Sequence, residues 1–354
     1  MKMKLILITL TLTFSILFSC IVTSCSSNPT QPPDKFPPAE PDSTTQNFDF
    51  QTYEFGDGGE SSWLNDVWIF NENNIWAVGY INVTSNTGRV NFIHWNGSQW
   101  LGVGQQFDSG GFDGIWAADS ENIYFADGIV LKYDKFGFKY EDFSNITFTN
   151  GQGIHKLWGS STNNIWGVGP WGTIVHYDGS QWTKIDFDRG WRFDAITGSE
   201  KTGIAYACAT DQSFNTSIVE LNDNSANIIY NSANTQEHLT SFSVKLLNEE
   251  QLLLGLNKVW KFNLSTKQTE LQYILPSGYS VFVMALYNYK DVYYFVDPYG
   301  RGKELLHYNG KRFKEITYSK TILPLYEGAY AVKDLAVMVG ESNNKAYLVE
   351  VKRR

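Results

Sequence analysis

Cysteine is nearly absent from this chain: three among 354 residues, at Cys20, Cys25 and Cys208. That is too few for a disulfide scaffold. Arginine is scarce as well, with seven residues, two of them the last two of the chain. No Walker-type loop, HExxH, nucleophile elbow or EF-hand loop occurs, which removes the motif-borne nucleotide, zinc, acyl-transfer and calcium chemistries. There is no basic stripe to carry nucleic acid, and acidic residues outnumber basic ones by 37 to 28. Helical periodicity is missing from the last 300 or so residues. Only one long hydrophobic run exists, Leu5 to Phe18, and its 14 residues fall short of a permanent membrane span.

That run is instead built like an export signal. Lys2 and Lys4 precede it, and small residues lead from Val22-Thr23-Ser24 to Cys25. The stretch resembles the bacterial lipobox, with Cys25 as the residue that takes lipid and Cys20 as a poorer alternative behind bulky Phe18. Residues 1–24 are therefore expected to be removed. Two or three acyl chains on Cys25 would give a lasting anchor, since each buried methylene contributes about 0.8 kcal/mol. Without Lys2 and Lys4 the mature chain holds 26 basic against 37 acidic residues, a net charge of −11. Ser26 and Ser27 after the lipid favour the outer membrane in Gram-negative sorting. Residues 25–47 read as the lipidated Cys and a disordered tether, because six of the ten prolines lie there. Fully extended, it reaches roughly 65 Å from the bilayer. Cys208, in the apolar run Ala205-Tyr206-Ala207-Cys208-Ala209, reads as an inert buried thiol.

The remainder, 48–354, is repetitive. Its clearest unit predicts strands at Ile154–Trp158, Asn164–Val168, Thr173–Tyr177 and Gln181–Ile185, with Asp178-Gly179 as a hairpin turn. Similar units centre on Trp68, Trp116, Trp158, Ile196, Leu246, Leu286 and Tyr330, spaced 38 to 50 residues apart. Four strands per unit at that period predict an all-β propeller with seven blades. The last unit stops at Arg354 one strand short. Phe48–Phe55 alternates like a strand and lies before the first unit, so it is expected to complete the last blade and close the ring.

Function is less legible. His94, His176 and His307 share one repeat position on a polar strand face, so they read as structural residues on separate blade exteriors rather than as metal ligands. His155 and His238 have no partner motif. Trp68, Trp76, Trp100, Trp116, Trp158, Trp166 and Trp182 occupy fixed repeat positions and are expected to pack between blades. Aromatic and arginine residues outside the pattern are the ligand-binding candidates: Trp171, Trp191, Arg192, Tyr299 and Arg301. Each sits in an expected loop beside polar groups. No catalytic residue, metal or cofactor is implied.

The run Trp158-Gly-Ser-Ser-Thr-Asn-Asn-Ile-Trp-Gly-Val-Gly169, continuing to Ile174-Val-His-Tyr-Asp-Gly-Ser-Gln-Trp182, resembles repeats of secreted bacterial propellers. Those repeats read W-G-S-x-x-x-D-V-W-A-V-G and then H-Y-D-G-x-x-W. The resemblance implies a fold and a location and leaves the activity open. The Asp178–Trp182 stretch also partly resembles the Asp-box of sialidase-type propellers, but lacks a residue between Asp and Gly. The reading is thus a monomeric, membrane-anchored exported lipoprotein whose propeller binds or scaffolds a protein or glycan. Its rival is an extracellular enzyme working on glycans or small molecules at the mouth of the propeller channel.

Overall fold

The computed structural model describes residues 44–83, 88–102, 107, 110–149, 151–188, 190–234, 243–255, 257–277, 279–298, 304–317 and 325–354. The signal, Cys25 and the tether up to residue 43 lie outside them.

Strand β1 (Phe48–Phe55) is followed by blade 1, which is β2 (Trp63–Asn71), β3 (Asn74–Val83), β4 (Gly88–Trp95) and β5 (Trp100–Gly102). Blade 2 is β6 (Gly114–Asp119), β7 (Asn122–Asp127), β8 (Ile129–Asp134) and β9 (Gly137–Tyr140). Blade 3 is β10 (Lys156–Ser161), β11 (Asn164–Gly169), β12 (Thr173–Tyr177) and β13 (Trp182–Lys184). Blade 4 is β14 (Arg192–Gly198), β15 (Ala205–Thr210), β16 (Thr216–Asn222) and β17 (Ser225–Asn231). Blade 5 is β18 (Ser243–Asn248), β19 (Gln251–Gly255), β20 (Lys258–Asn263) and β21 (Thr269–Ile274). Blade 6 is β22 (Tyr279–Asn288), β23 (Asp291–Pro298), β24 (Glu304–Tyr308) and β25 (Phe313–Thr317). Blade 7 has β26 (Leu325–Val332), β27 (Leu335–Ser342) and β28 (Lys345–Arg353) from the C-terminus, with β1 as its outer strand.

Seven four-stranded antiparallel sheets in this order make a seven-bladed β-propeller. The expected closure is present: Phe48 pairs with Arg353 and the register runs without a shift to Phe55 opposite Ala346. The closing segment extends further back than the expected strand. Thr44 and Gln46, placed in the tether by their sequence, are buried against blade 6, where Thr44 N donates to Asn309 O at 3.2 Å.

The hydrophobic core falls into seven clusters, each shared by two neighbouring blades and one of them closing blade 7 onto blade 1. Second strands are covered on both faces, so β15 is buried at every residue, as its unbroken apolar run requires. The seven repeat anchors sit on the innermost strands, and the Trp-Gly pair has a steric cause. Trp116 of blade 2 lies over Gly159 of blade 3, where a Cβ would meet its ring at 2.7 Å. Trp158 lies likewise over Gly198 of blade 4. The tryptophans thus pack between blades as expected.

The three repeat histidines are structural, but their placement needs correcting. His94 stacks on Trp76 with ring centroids 4.3 Å apart, and its Nε2 lies 2.9 Å from Asn74 Oδ1. His176 stacks on Trp166 at 4.0 Å and reaches Asn164 Oδ1 at 2.7 Å. Both sit against their own second strand. His307 is fully buried, not on a blade exterior, because Gln46 and Phe48 of the N-terminal segment cover it. Cys208 is buried, as expected.

Candidate binding face at the channel mouth

Each innermost strand begins at the same end of the propeller, where the connections between blades and the loops between second and third strands also lie. A channel of about 810 Å³ opens there, lined by residues of all seven blades. The strand pairing corrects the expected anchors of blades 4, 5 and 6 by one residue, from Ile196, Leu246 and Leu286 to Thr197, Lys245 and Ala285. Trp68, Trp116, Trp158 and Tyr330 form an aromatic part of the channel's collar, and Ile196, Leu246 and Leu286 line it as well. They therefore serve the channel as well as the blade junctions.

Charged side chains stand near the start of the innermost strands. Blades 7, 1 and 2 contribute Glu327, Asp66 and Asp113; blades 3, 4 and 5 contribute Lys156, Arg192 and Lys245. Blade 6 contributes only apolar groups, among them Val283 and Met284. The acids of blades 7, 1 and 2 thus face the cations of blades 3, 4 and 5, among which blade 4 also carries Asp194 and Glu200. Several of these groups hold each other. Lys156 Nζ donates to Asp113 O at 2.9 Å and stands 3.6 Å from Asp66 Oδ2. Arg192 Nε meets Asp194 Oδ1 at 2.7 Å, and Thr210 Oγ1 donates to the other carboxylate oxygen at 2.8 Å. His155 Nδ1 lies 3.7 Å from Asp113 Oδ2.

The surrounding protein shifts these groups away from their ordinary ionisation. Burial raises the carboxyls of Asp113 and Asp194, and nearby cations only partly offset it. Glu327 is open to water yet ringed by protein, and it too is raised by desolvation. Lys245 is lowered for the same reason, with Asp66 pulling the other way. Among the described residues, neither Lys245 nor Glu327 makes a hydrogen bond or an ion pair, and no group of three or more His, Cys, Asp or Glu could hold a metal ion.

The loop candidates divide as follows. Trp171 is 47% exposed, and its indole lies against Gly151. Its backbone is left-handed, with φ at 55°, a conformation uncommon for a bulky residue. The loop is pinned: Gln152 Nε2 donates to Trp171 O at 3.0 Å, and Gly172 N donates to Trp191 O at 2.7 Å. Trp191 and Arg192 thereby stand beside Trp171, with Arg192 reaching the channel rim. Tyr299, Arg301 and Cys25 lie outside the described residues.

The sequence reading missed Phe214. It occupies the loop between the second and third strands of blade 4, equivalent to the Trp171 loop of blade 3. Phe214 is 67% exposed and also left-handed, with φ at 61°. Asp211 builds the turn, its Oδ1 accepting from Ser213 N and Asn215 N, each at 2.8 Å. Such an Asx turn after a strand was the available signal. Two exposed aromatics therefore flank Trp191 and Arg192 on one face of adjacent blades.

No protein-family model matches the chain, and no curated protein matches it. Solved structures do. A YCF48 structure bound to D1 peptide is 11% identical with a TM-score of 0.64, covering 86% of this chain and 96% of that one. A catalytically inactive virginiamycin B lyase from Staphylococcus aureus, solved with quinupristin, is 9% identical with a TM-score of 0.65, covering 86% and 100%. The WD40 propeller of Doa1 is 13% identical with a TM-score of 0.57, covering 86% and 97%. What is shared is the fold. At these identities the likeness extends to the propeller and carries no activity with it.

Proposed function

We propose that this chain is an exported binding module, anchored through lipid on Cys25 to the cell envelope and presenting its loop face to a protein partner. One observation carries the reading: Trp171 and Phe214, on equivalent loops of adjacent blades, are exposed in left-handed backbone. Holding a large apolar side chain so costs about 1–3 kcal/mol of backbone strain. Neither aromatic recovers that cost by burial in its own blade. Aromatic anchors beside an arginine are the usual makeup of an interaction hot spot. That one similar propeller was solved with a peptide supports a protein partner over a glycan.

The test is cross-linking and affinity capture from the protein's own envelope, comparing wild type with Trp171→Ala/Phe214→Ala. A partner protein captured by wild type and lost by the variant supports the reading. Recovery of a glycan in its place moves the partner class, and loss of neither sinks the loop face. Metabolic labelling with a fatty acid should mark wild type and leave Cys25→Ser unlabelled.

A second reading is favoured by the Asp113–His155 contact at the channel mouth: general acid–base chemistry on a small molecule. It requires a turnover that Asp113→Asn and His155→Gln each abolish.

A further inference from the structure

We infer that the channel is a binding site for a small organic monocarboxylate, seated on Lys245 with its apolar body against blades 4 to 6. This site is separate from the loop face, and either can fail without the other.

Lys245 is an anomaly in its own repeat. In the strand pairing Lys245 lies opposite Leu253, a place held in the other six blades by Trp68, Trp116, Trp158, Thr197, Ala285 and Tyr330, none of them charged. Blade 5 alone places a cation there. The amine lines the channel and, among the described residues, finds neither a hydrogen-bond acceptor nor a carboxylate. The other two cations at the mouth are occupied, Lys156 by Asp113 O and Asp66, Arg192 by Asp194. Protein surrounds the Lys245 amine closely enough to disfavour its charged form. A desolvated cation without a partner is costly unless something anionic completes it.

The cavity narrows what that anion is. Beside Lys245 stand Ile196, Leu246, Met284 and Leu286, which suit a hydrocarbon body rather than a bare inorganic ion. Across the opening stand Asp66, Asp113 and Glu327, which repel a multiply charged anion such as phosphate. A volume of about 810 Å³ accommodates a small molecule or the last residues of a peptide. One carboxylate on an apolar body satisfies all three conditions. It comes either from a free acid or from the end of a partner chain.

The probes are butyrate, hexanoate and benzoate, each beside its own amide, with the full chain followed by thermal unfolding and calorimetric titration. The acids should raise the wild-type melting temperature in a concentration-dependent way, and the amides should not. Lys245→Met should melt above wild type without ligand and lose the acid-specific rise, with affinity falling about ten-fold or more. Lys245→Gln serves if the methionine variant fails to fold. An equal response to acids and amides, no response to any acid, or an acid-specific rise that survives both variants overturns the proposal. A short peptide with a free C-terminus, set beside its amidated twin, separates the sources. A free-acid preference that fades in Trp171→Ala/Phe214→Ala assigns the carboxylate to a partner chain. A preference for hexanoate over either peptide assigns it to a free acid.

Discussion

Two polar clusters differ in how their charges are met. At the seam between blades 6 and 7, Asp291 and His307 are fully buried, and each charged group is paired, although Asp291 Oδ2 and Arg353 Nε make no hydrogen bond of their own. His307 Nε2 donates to Asp291 Oδ1 at 2.7 Å, and Arg353 pairs with the same carboxylate. Arg353 also bonds Asp334 at 3.0 Å and the Tyr293 hydroxyl at 3.0 Å. Gln46 Nε2 donates to His307 Nδ1 at 3.2 Å, which fixes the ring as neutral with its proton on Nε2. At the channel mouth Arg192 and Lys156 are likewise paired, but among the described residues Lys245 and Glu327 stand alone. The seam spends its polarity on closing the ring. The mouth leaves part of its polarity unpaired within the described residues.

The largest expected break in that contrast is Asp291→Ala. It removes the buried carboxylate that Arg353 and His307 share, leaving Arg353 with half-exposed Asp334 and His307 Nε2 without an acceptor, and should lose about 3–5 kcal/mol in urea unfolding. Asp113→Asn at the mouth should change stability by less than about 1 kcal/mol in the same assay, its partner being half exposed. A comparable loss from both would erase the distinction.

Acidity should move the two regions in opposite directions. Burial holds the His307 imidazole below its ordinary value of about 6.5. Its contribution is complete above that pH and is lost as pH falls through the depressed value. The urea midpoint of wild type should therefore drop on acidification, and His307→Asn should flatten the drop. Glu327 is raised, so its contribution is present below the ordinary carboxyl range and lost as pH rises through the folded value. Glu327→Gln should thus stabilise the protein at pH 7 and leave it unchanged below about pH 4. The smallest effect is expected at the loop face. Phe214→Gly relieves left-handed backbone at some entropic cost and should shift stability by no more than about 1 kcal/mol in either direction, while weakening partner capture.

The ring was legible because its cause is local. Each Trp anchor, Asn-Ile-Trp run and Asp-Gly or Asn-Gly turn is read within some 40 residues, and a missing last strand is visible as an arithmetic shortfall. Blades 4 and 5 were weaker in sequence since Thr197 and Lys245 replace the aromatic, so the anchors expected at Ile196 and Leu246 were each one residue off, yet their strands fall where the period puts them. The channel was not legible, because Glu327, Asp66, Asp113, Lys156 and Lys245 are far apart in sequence and meet only when the ring closes. Lys245 alone left a trace, a charged residue in a repeat column whose other members are uncharged. The burial of His307 was hidden for a similar reason. Its cover, Gln46, comes from a segment whose prolines and polar residues suggested disorder.

The closing strand also has a mechanical role. Residues 44–47 lead into β1, which is held to β28 by eight consecutive antiparallel pairs. A pull on that end loads this ladder first, and the Arg354 N to Asn47 O bond stands at its leading edge. Where the ladder yields, blade 7 loses its outer strand and Phe48 withdraws from over His307. Such a pull is thereby felt at the one junction where the circle is closed.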